Sequence, residues 1–285
     1  MDHKKRTGLR LQLACGSSIA MNTTHDKLLN GRLSLEQPAR GEGYRVAVDS
    51  LLAAAAVPLC ANDRAALLDM GCGVGAIMLA VGVRCPNVYL TGVEIHPPIV
   101  ELCRRNILHN TYEERASVEE GDITALPLGL KGCFDHIVSN PPFHDPKGHT
   151  ASPEAYRKLA LMESEDAEAL QKWVGSGRAA LKEGGSLTII FRTDRESELV
   201  AAVEQAGFEQ LAIREILSKE DTTSKRIILH AIKPAEEQMC GINHSYRAHL
   251  QRKNPFILYG VDGRYSKMAE AVLRGAQSMA DAMGE

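Results

Sequence analysis

The sequence predicts an α/β protein built on a mostly parallel, doubly wound sheet, and three observations carry that expectation. Strand-like apolar runs alternate with helical stretches along most of the chain, a glycine-rich turn joins one such strand to the next helix, and no repeat or low-complexity segment interrupts the alternation. Parallel neighbours need crossovers of a dozen or more residues, which are usually helical and right-handed. With 285 residues, 44% of them hydrophobic, the chain can bury a substantial core, and no linker divides it.

Taken in order, 32–37 alternates as a short strand and 38–43 is a turn-rich bend. Asp49 is placed to N-cap a helix over 50–57. The βα alternation then begins: strand 66–70, helix 75–84, strand 88–94, helix 97–110, whose Pro97 and Pro98 suit a first turn. Strands at 116–119 and 134–139 follow, then helix 166–181, strand 186–191 and helix 196–205. The last two β-rich runs, 211–216 and 226–232, lack a helix between them and predict an antiparallel hairpin at one sheet edge. The expected division is an extension over 1–20, disordered or preceding the true start at Met21, then one domain over 21–285. Within it, 21–60 is an N-terminal strand and helix, 61–235 the core and 236–285 a C-terminal strand and helix appendage.

Two motifs carry chemistry. In Leu67-Leu68-Asp69-Met70-Gly71-Cys72-Gly73-Val74-Gly75-Ala76, an apolar strand passes through three glycines into a helix, which allows a ligand to approach the backbone closely. Glu94, at the end of the next strand, is placed to hold a ribose. Gly71-x-Gly73-x-x-Ala76 also satisfies the dinucleotide fingerprint, so the loop does not choose its cofactor, and a nicotinamide-dependent oxidoreductase is one reading. That reading does not account for Asn140-Pro141-Pro142-Phe143, directly after the strand 134–139. An asparagine followed by two prolines holds a side-chain amide and a backbone carbonyl in a rigid frame. Two acceptors facing one point suit a planar NH2 group, and Phe143 offers a flat face for the ring that bears it. A flipped adenine fits that description.

Together these motifs resemble the class I S-adenosylmethionine-dependent methyltransferases whose Asn-Pro-Pro-aromatic motif methylates exocyclic or amide nitrogens. The resemblance runs from about Asp26 to the C-terminus and is greatest to the tRNA(Val) adenine exocyclic-amine methyltransferase family. It includes Gly43-Tyr44-Arg45-Val46-Ala47-Val48-Asp49, Asp26-Lys27-Leu28-Leu29-Asn30-Gly31-Arg32-Leu33 and Gly263-Arg264-Tyr265-Ser266. It implies a Rossmann-like sheet of seven strands with one antiparallel edge strand, and S-adenosyl-L-methionine as cofactor. Asp69, Gly71, Gly73, Gly75, Glu94, Ile95, Asp122, Ile123 and Asn140 would bind that cofactor, and Tyr44, Arg45 and Asp49 would lie beside it or the target base. Asn140, Pro141, Pro142 and Phe143 would hold the nucleophile. His144 and Asp145 are weaker candidates for a base, since solvent can take the proton after transfer. The segment 144–165, irregular and next to the motif, is placed to act as a lid.

Composition excludes other classes. Seven cysteines at 15, 60, 72, 85, 103, 133 and 240 form no Cys-x-x-Cys pair, so neither a disulfide framework nor a metal site is expected, and reduced thiols suit the cytoplasm. The longest apolar stretch, 46–60, falls short of a membrane span. A net charge of −3 confines any RNA contact to a local surface. The candidate is 246–267, where Arg247, Arg252, Lys253, Arg264 and Lys267 alternate with Tyr246, Phe256, Tyr259 and Tyr265. The expected partner is RNA, specifically a tRNA anticodon loop, with no metal and no membrane. A ribosomal RNA guanine amine, a protein glutamine amide and a non-catalytic RNA-binding role are the remaining readings.

Overall fold

Apolar residues on both faces of most strands dictate a sheet covered on both sides, and the computed structural model has that architecture. It describes residues 22–40, 46, 48–141, 167–235 and 249–285. The extension 1–20, Tyr44, Arg45, Pro142, Phe143, His144, Asp145, the lid segment and Arg247 lie outside the described residues.

Strands β1 (Thr23–Leu28) and β2 (Leu33–Pro38) form an antiparallel hairpin. The chain continues through α1 (Val48–Ala56), β3 (Ala66–Met70), α2 (Ala76–Arg84), β4 (Tyr89–Glu94), α3 (Pro97–His109), β5 (Ala116–Glu120) and β6 (Phe134–Ser139). It goes on through α4 (Ala167–Ala180), β7 (Leu181–Arg192), α5 (Glu196–Gln205), β8 (Glu209–Leu217) and β9 (Arg226–Ile232), and ends with β10 (Gln251–Arg252), β11 (Phe256–Ile257), α6 (Lys267–Leu273) and α7 (Met279–Met283). The large sheet has the order β10-β8-β9-β7-β6-β3-β4-β5, with β11 also pairing β8. Neighbours from β7 through β5 are parallel. Successive residues serve opposite faces: Leu67 packs in the core formed with α1, α2, α3, α6 and α7, and Leu68 in the one formed with α4 and α5.

Three expectations need correction. The large sheet has nine strands among the described residues rather than seven, because the short β10 and β11 add to the β8 edge. The hairpin of β8 and β9 does lie at one side of the sheet, but its reversed strand is not the edge. β9 lies between β7 and β8 and is antiparallel to both. The α5 crossover carries β8 past one vacant position, and the short return allows only an antiparallel neighbour, so β9 fills the gap. Its residues Ile227 to Leu229 and Ala231 are buried, as a strand paired on both sides requires. Asp49 is not an N-cap. The helix begins at Val48, two residues before the expected start, and Asp49 in its first turn accepts a 2.9 Å bond from Arg226 Nε at the start of β9.

The N-terminal hairpin, of which only β2 was expected, is held to α3 by side chains that read its backbone. Asn106, fully buried, accepts from Glu36 N at 2.7 Å and donates to Glu36 O and to Val74 O in the glycine loop, both at 2.9 Å. One turn on, Asn110 accepts from Ser34 N and donates to Ser34 O. Arg105 forks onto Glu36 and holds its carboxyl below the usual range. Asn106→Ala would strand three buried backbone groups, each costing 1–3 kcal/mol before relaxation. Denaturant unfolding should show a loss of about 3 kcal/mol, and a loss below about 1 kcal/mol would mean that the clasp carries little of the fold.

Candidate active site

The order of the strands selects the site before any side chain does. From β3 the chain steps outward to β4 and β5, and from β6 it steps the other way to β7, so the order reverses between β3 and β6. In open α/β sheets ligands bind beyond the carboxyl ends of the strands at such a reversal. Met70 is in register with Val93 on one side and Ser139 on the other. The glycine loop, Glu94 and Asn140 therefore leave three consecutive strand ends, spaced by roughly 4.8 Å per strand. Asp122 follows the fourth, β5.

The loop is tied to β4: Gly71 N and Cys72 N both donate to Val93 O. Glu94, 7% exposed, accepts from Gly73 N through Oε2 and from His96 N through Oε1, each at 3.0 Å. Its carboxylate thus fixes the loop, and each oxygen keeps a second lone pair for a ligand. Gly73 has φ +55°, and a Cβ there would have nothing within 4 Å, which marks the open cradle of the loop. Gly71 serves packing instead, because a Cβ there would lie 2.9 Å from the Trp173 ring. Gly75 caps α2 from the left-handed region.

Asp69 is the electrostatic anomaly. It is fully buried; Oδ2 accepts from Met78 N at 3.1 Å, while Oδ1 has no hydrogen-bond partner among the described residues. Burial, with Glu94 nearby adding repulsion, pushes its carboxyl from 3.8 up to about 7. A buried acceptor without a donor, beside a glycine cradle, suits a cationic ligand group.

Asn140 and Pro141 follow β6 directly, Pro141 is buried, and the side-chain oxygen of Asn140 is shielded from solvent. Ile123 is buried and Ile95 half-buried, consistent with walls flanking a ring. Asp122 caps the turn after β5, with Oδ1 accepting from Thr124 N and Oγ1, so both candidate and structural roles meet in one carboxylate. Sequence reasoning missed Trp173 and Ser139. Trp173 Nε1 donates to Ser139 Oγ at 3.1 Å, and Ser139 donates to Met70 O at 2.9 Å, pinning α4 over the loop. Trp173 is the chain's only tryptophan, but nothing in the local spacing pointed it at Gly71. Arg252 and Lys253 lie at the far sheet edge instead, with Arg252 forked onto Glu196.

The buried Asp69 carboxyl has a pH consequence. The unfolded chain ionises at about 3.8 while the fold retains the proton to about 7, so stability falls as pH rises between those values and is level above. Asp69→Asn should escape this decline, gaining on the order of 4 kcal/mol, or about 10 °C in Tm, at pH 8 and little at pH 4. Equal Tm differences at both pH values would show that Asp69 is not protonated in the fold.

Residues 50–213 match the family model of the Methyltransferase small domain. A tRNA1(Val) (adenine(37)-N6)-methyltransferase of Porphyromonas gingivalis is 34% identical over 135 residues, 46% of this chain and 51% of that protein. Ribosomal RNA small subunit methyltransferase C of Shigella flexneri is 36% identical over 89 residues, 30% of this chain and 24% of that one. A release factor glutamine methyltransferase of Deinococcus radiodurans is 30% identical over 183 residues, 63% of this chain and 64% of that one. The chain thus spans from a quarter to about two thirds of these relatives. A solved predicted O-methyltransferase from Agrobacterium tumefaciens superposes with a TM-score of 0.61 at 23% identity, covering 81% of this chain and 97% of that one, which establishes the fold. The glycine loop, both strand-end carboxylates and the Asn-Pro segment all lie in the matched span, and the chain belongs to the Methyltransferase small domain family.

Proposed function

We propose that the chain is an S-adenosylmethionine-dependent N-methyltransferase acting on the exocyclic amine of an adenine in a tRNA anticodon loop. The observation that carries the reading is the convergence at one switch point of Asn140-Pro141, the open Gly73 cradle and the buried Asp69 oxygen that has no donor among the described residues. The residues fit the cofactor. Asp69 suits its ammonium end, Glu94 retains acceptor capacity for ribose hydroxyls, and Ile95, Ile123 and Asp122 suit its adenine. When bound, S-adenosylmethionine supplies an electrophilic methyl on a sulfonium whose charge is neutralised by transfer, so the chain needs no acid at that end.

The harder half belongs to the nucleophile. An adenine amine donates its lone pair to the ring and attacks poorly. Acceptance of its two N–H groups by the Asn140 side-chain oxygen and the Pro141 carbonyl would favour a pyramidal nitrogen with the lone pair directed at the methyl. Positioning and fixed dipoles then supply most of the acceleration, and the proton leaves to solvent after transfer. RNA as partner is supported by the names of the tRNA and ribosomal RNA relatives, and an exposed loop base is the least costly to extrude. A second reading, a protein glutamine amide, is supported by the Deinococcus relative, which matches the longest stretch of the three. The same pair of acceptors serves that planar amide. No helix among the described residues is long and apolar enough to cross a membrane, and no metal-ligating cluster is found among them. Its sequence carries no Cys-x-x-Cys pair, and on that expectation of reduced thiols we place the enzyme in the cytoplasm.

Unmodified bulk tRNA, ribosomal RNA and release-factor protein, each incubated with isotopically labelled S-adenosylmethionine, separate the substrates by mass spectrometry. Label in methyladenosine from tRNA is expected; label in methylguanosine or glutamine would replace the substrate, and none anywhere would refute catalysis. Asn140→Ala should lower kcat by about 10²-fold or more with cofactor affinity nearly unchanged, whereas Glu94→Ala should weaken cofactor binding first. If both variants change only the cofactor KM, the division of roles fails.

A further inference from the structure

The cationic and aromatic segment near the C-terminus is split by the fold into two unrelated places. β10 pairs low on β8, with Arg252 opposite Ile213 and engaged by Glu196. Lys253 follows it along the same edge, its N–H bonded to Ile213 O. From there the chain climbs: β11 pairs with Ile216 and Leu217, and Tyr259 N donates to Ser218 O, one residue past the end of β8. Registers across β6, β7, β9 and β8 place Ser139 level with Ile213. The backbone at Tyr259 therefore stands about five residues, roughly 16 Å, beyond that level, and four strand spacings, roughly 19 Å, to the side of β6. It lies at the same end of the sheet as Asn140.

What projects there is a braced hairpin. Tyr259 and Tyr265 pair across it, their rings stacked at 5.1 Å and 14°. Gly260 N donates to Arg264 O, and Asp262 Oδ1 accepts from Arg264 N at 3.0 Å, so that carboxylate is engaged by the backbone. Val261 at the tip is 97% exposed. Arg264 and Lys267 are exposed and form no ion pair with a described residue, whereas the neighbouring Glu270 is paired with Arg274. Two cations without an ion pair among the described residues, a stacked aromatic pair and an exposed apolar tip at a hydrogen-bonded hairpin are what an unpaired RNA segment needs: phosphates meet the cations and a base extends the stack.

We propose that the 259–267 arm is an RNA-binding surface that grips nucleotides flanking the extruded base, with Arg264 and Lys267 as its phosphate contacts. The inference rests on the RNA reading given above. It excludes Arg252 and Lys253 from that surface, although the sequence groups all four.

The test uses the full chain with both arm charges reversed, Arg264→Glu and Lys267→Glu together, and Lys131→Glu as control. Lys131 is exposed and precedes β6, at the opposite end of the sheet. Label transfer to unmodified bulk tRNA is measured as a function of salt, and S-adenosylhomocysteine affinity reports on the fold. The arm variant should raise the KM for tRNA about tenfold or more and reduce the salt slope by about two, with S-adenosylhomocysteine affinity unchanged. Kinetics matching those of Lys131→Glu would overturn the surface while leaving the proposed activity in place. Label in protein rather than RNA from the wild type would overturn both.

Discussion

Two carboxylates at the ends of adjacent strands set the terms for the rest of the molecule. Glu94 spends both oxygens on backbone N–H groups and thereby fixes the path of the glycine loop, and Asp69 is buried before that loop with one oxygen unmatched among the described residues. An unmatched buried acceptor costs free energy, and a fold keeps such a group only where its surroundings over-determine it. Here they do. Val93 O holds the loop from one side, Asn106 holds Val74 O from the other, and the Trp173 ring closes against Gly71.

These restraints link distant parts of the chain. The N-terminal hairpin is outside the large sheet, but through Asn106 it shares a side chain with the glycine loop. Gln37 in that hairpin accepts from Val46 N at 2.8 Å, which anchors the chain just before α1, and Asp49 in α1 is held by Arg226 of β9. Val46 and Asp49 are thus each held by an element separate from the glycine loop. On the proposed reading, burying a cation beside Asp69 would convert that cost into binding free energy.

The sequence disclosed the parts of this structure that follow local rules. Alternating strands and helices, the glycine loop, Glu94 at a strand end and Asn140 after β6 were legible because each is a short pattern with a backbone reason. β1 was not legible, since Thr-Thr-His-Asp-Lys-Leu is polar and mostly exposed or half-buried, and its partner β2 supplies the buried face. The slot taken by β9 has a signal in the sequence: an apolar run buried on both faces does not suit an edge. Asn106, Ser139 and Trp173 act through contacts made only after folding, 32 to 102 residues away in sequence. No spacing rule reaches so far.

The central claim is that the buried Asp69 carboxyl, pushed up to about 7, would receive a cationic ligand group. Calorimetric titration of S-adenosylhomocysteine at pH 6.5 in two buffers of different ionisation enthalpy measures the protons exchanged on binding. The account predicts release of up to about one proton per site by the wild type and none by Asp69→Asn. Binding by the wild type with no proton released would contradict it.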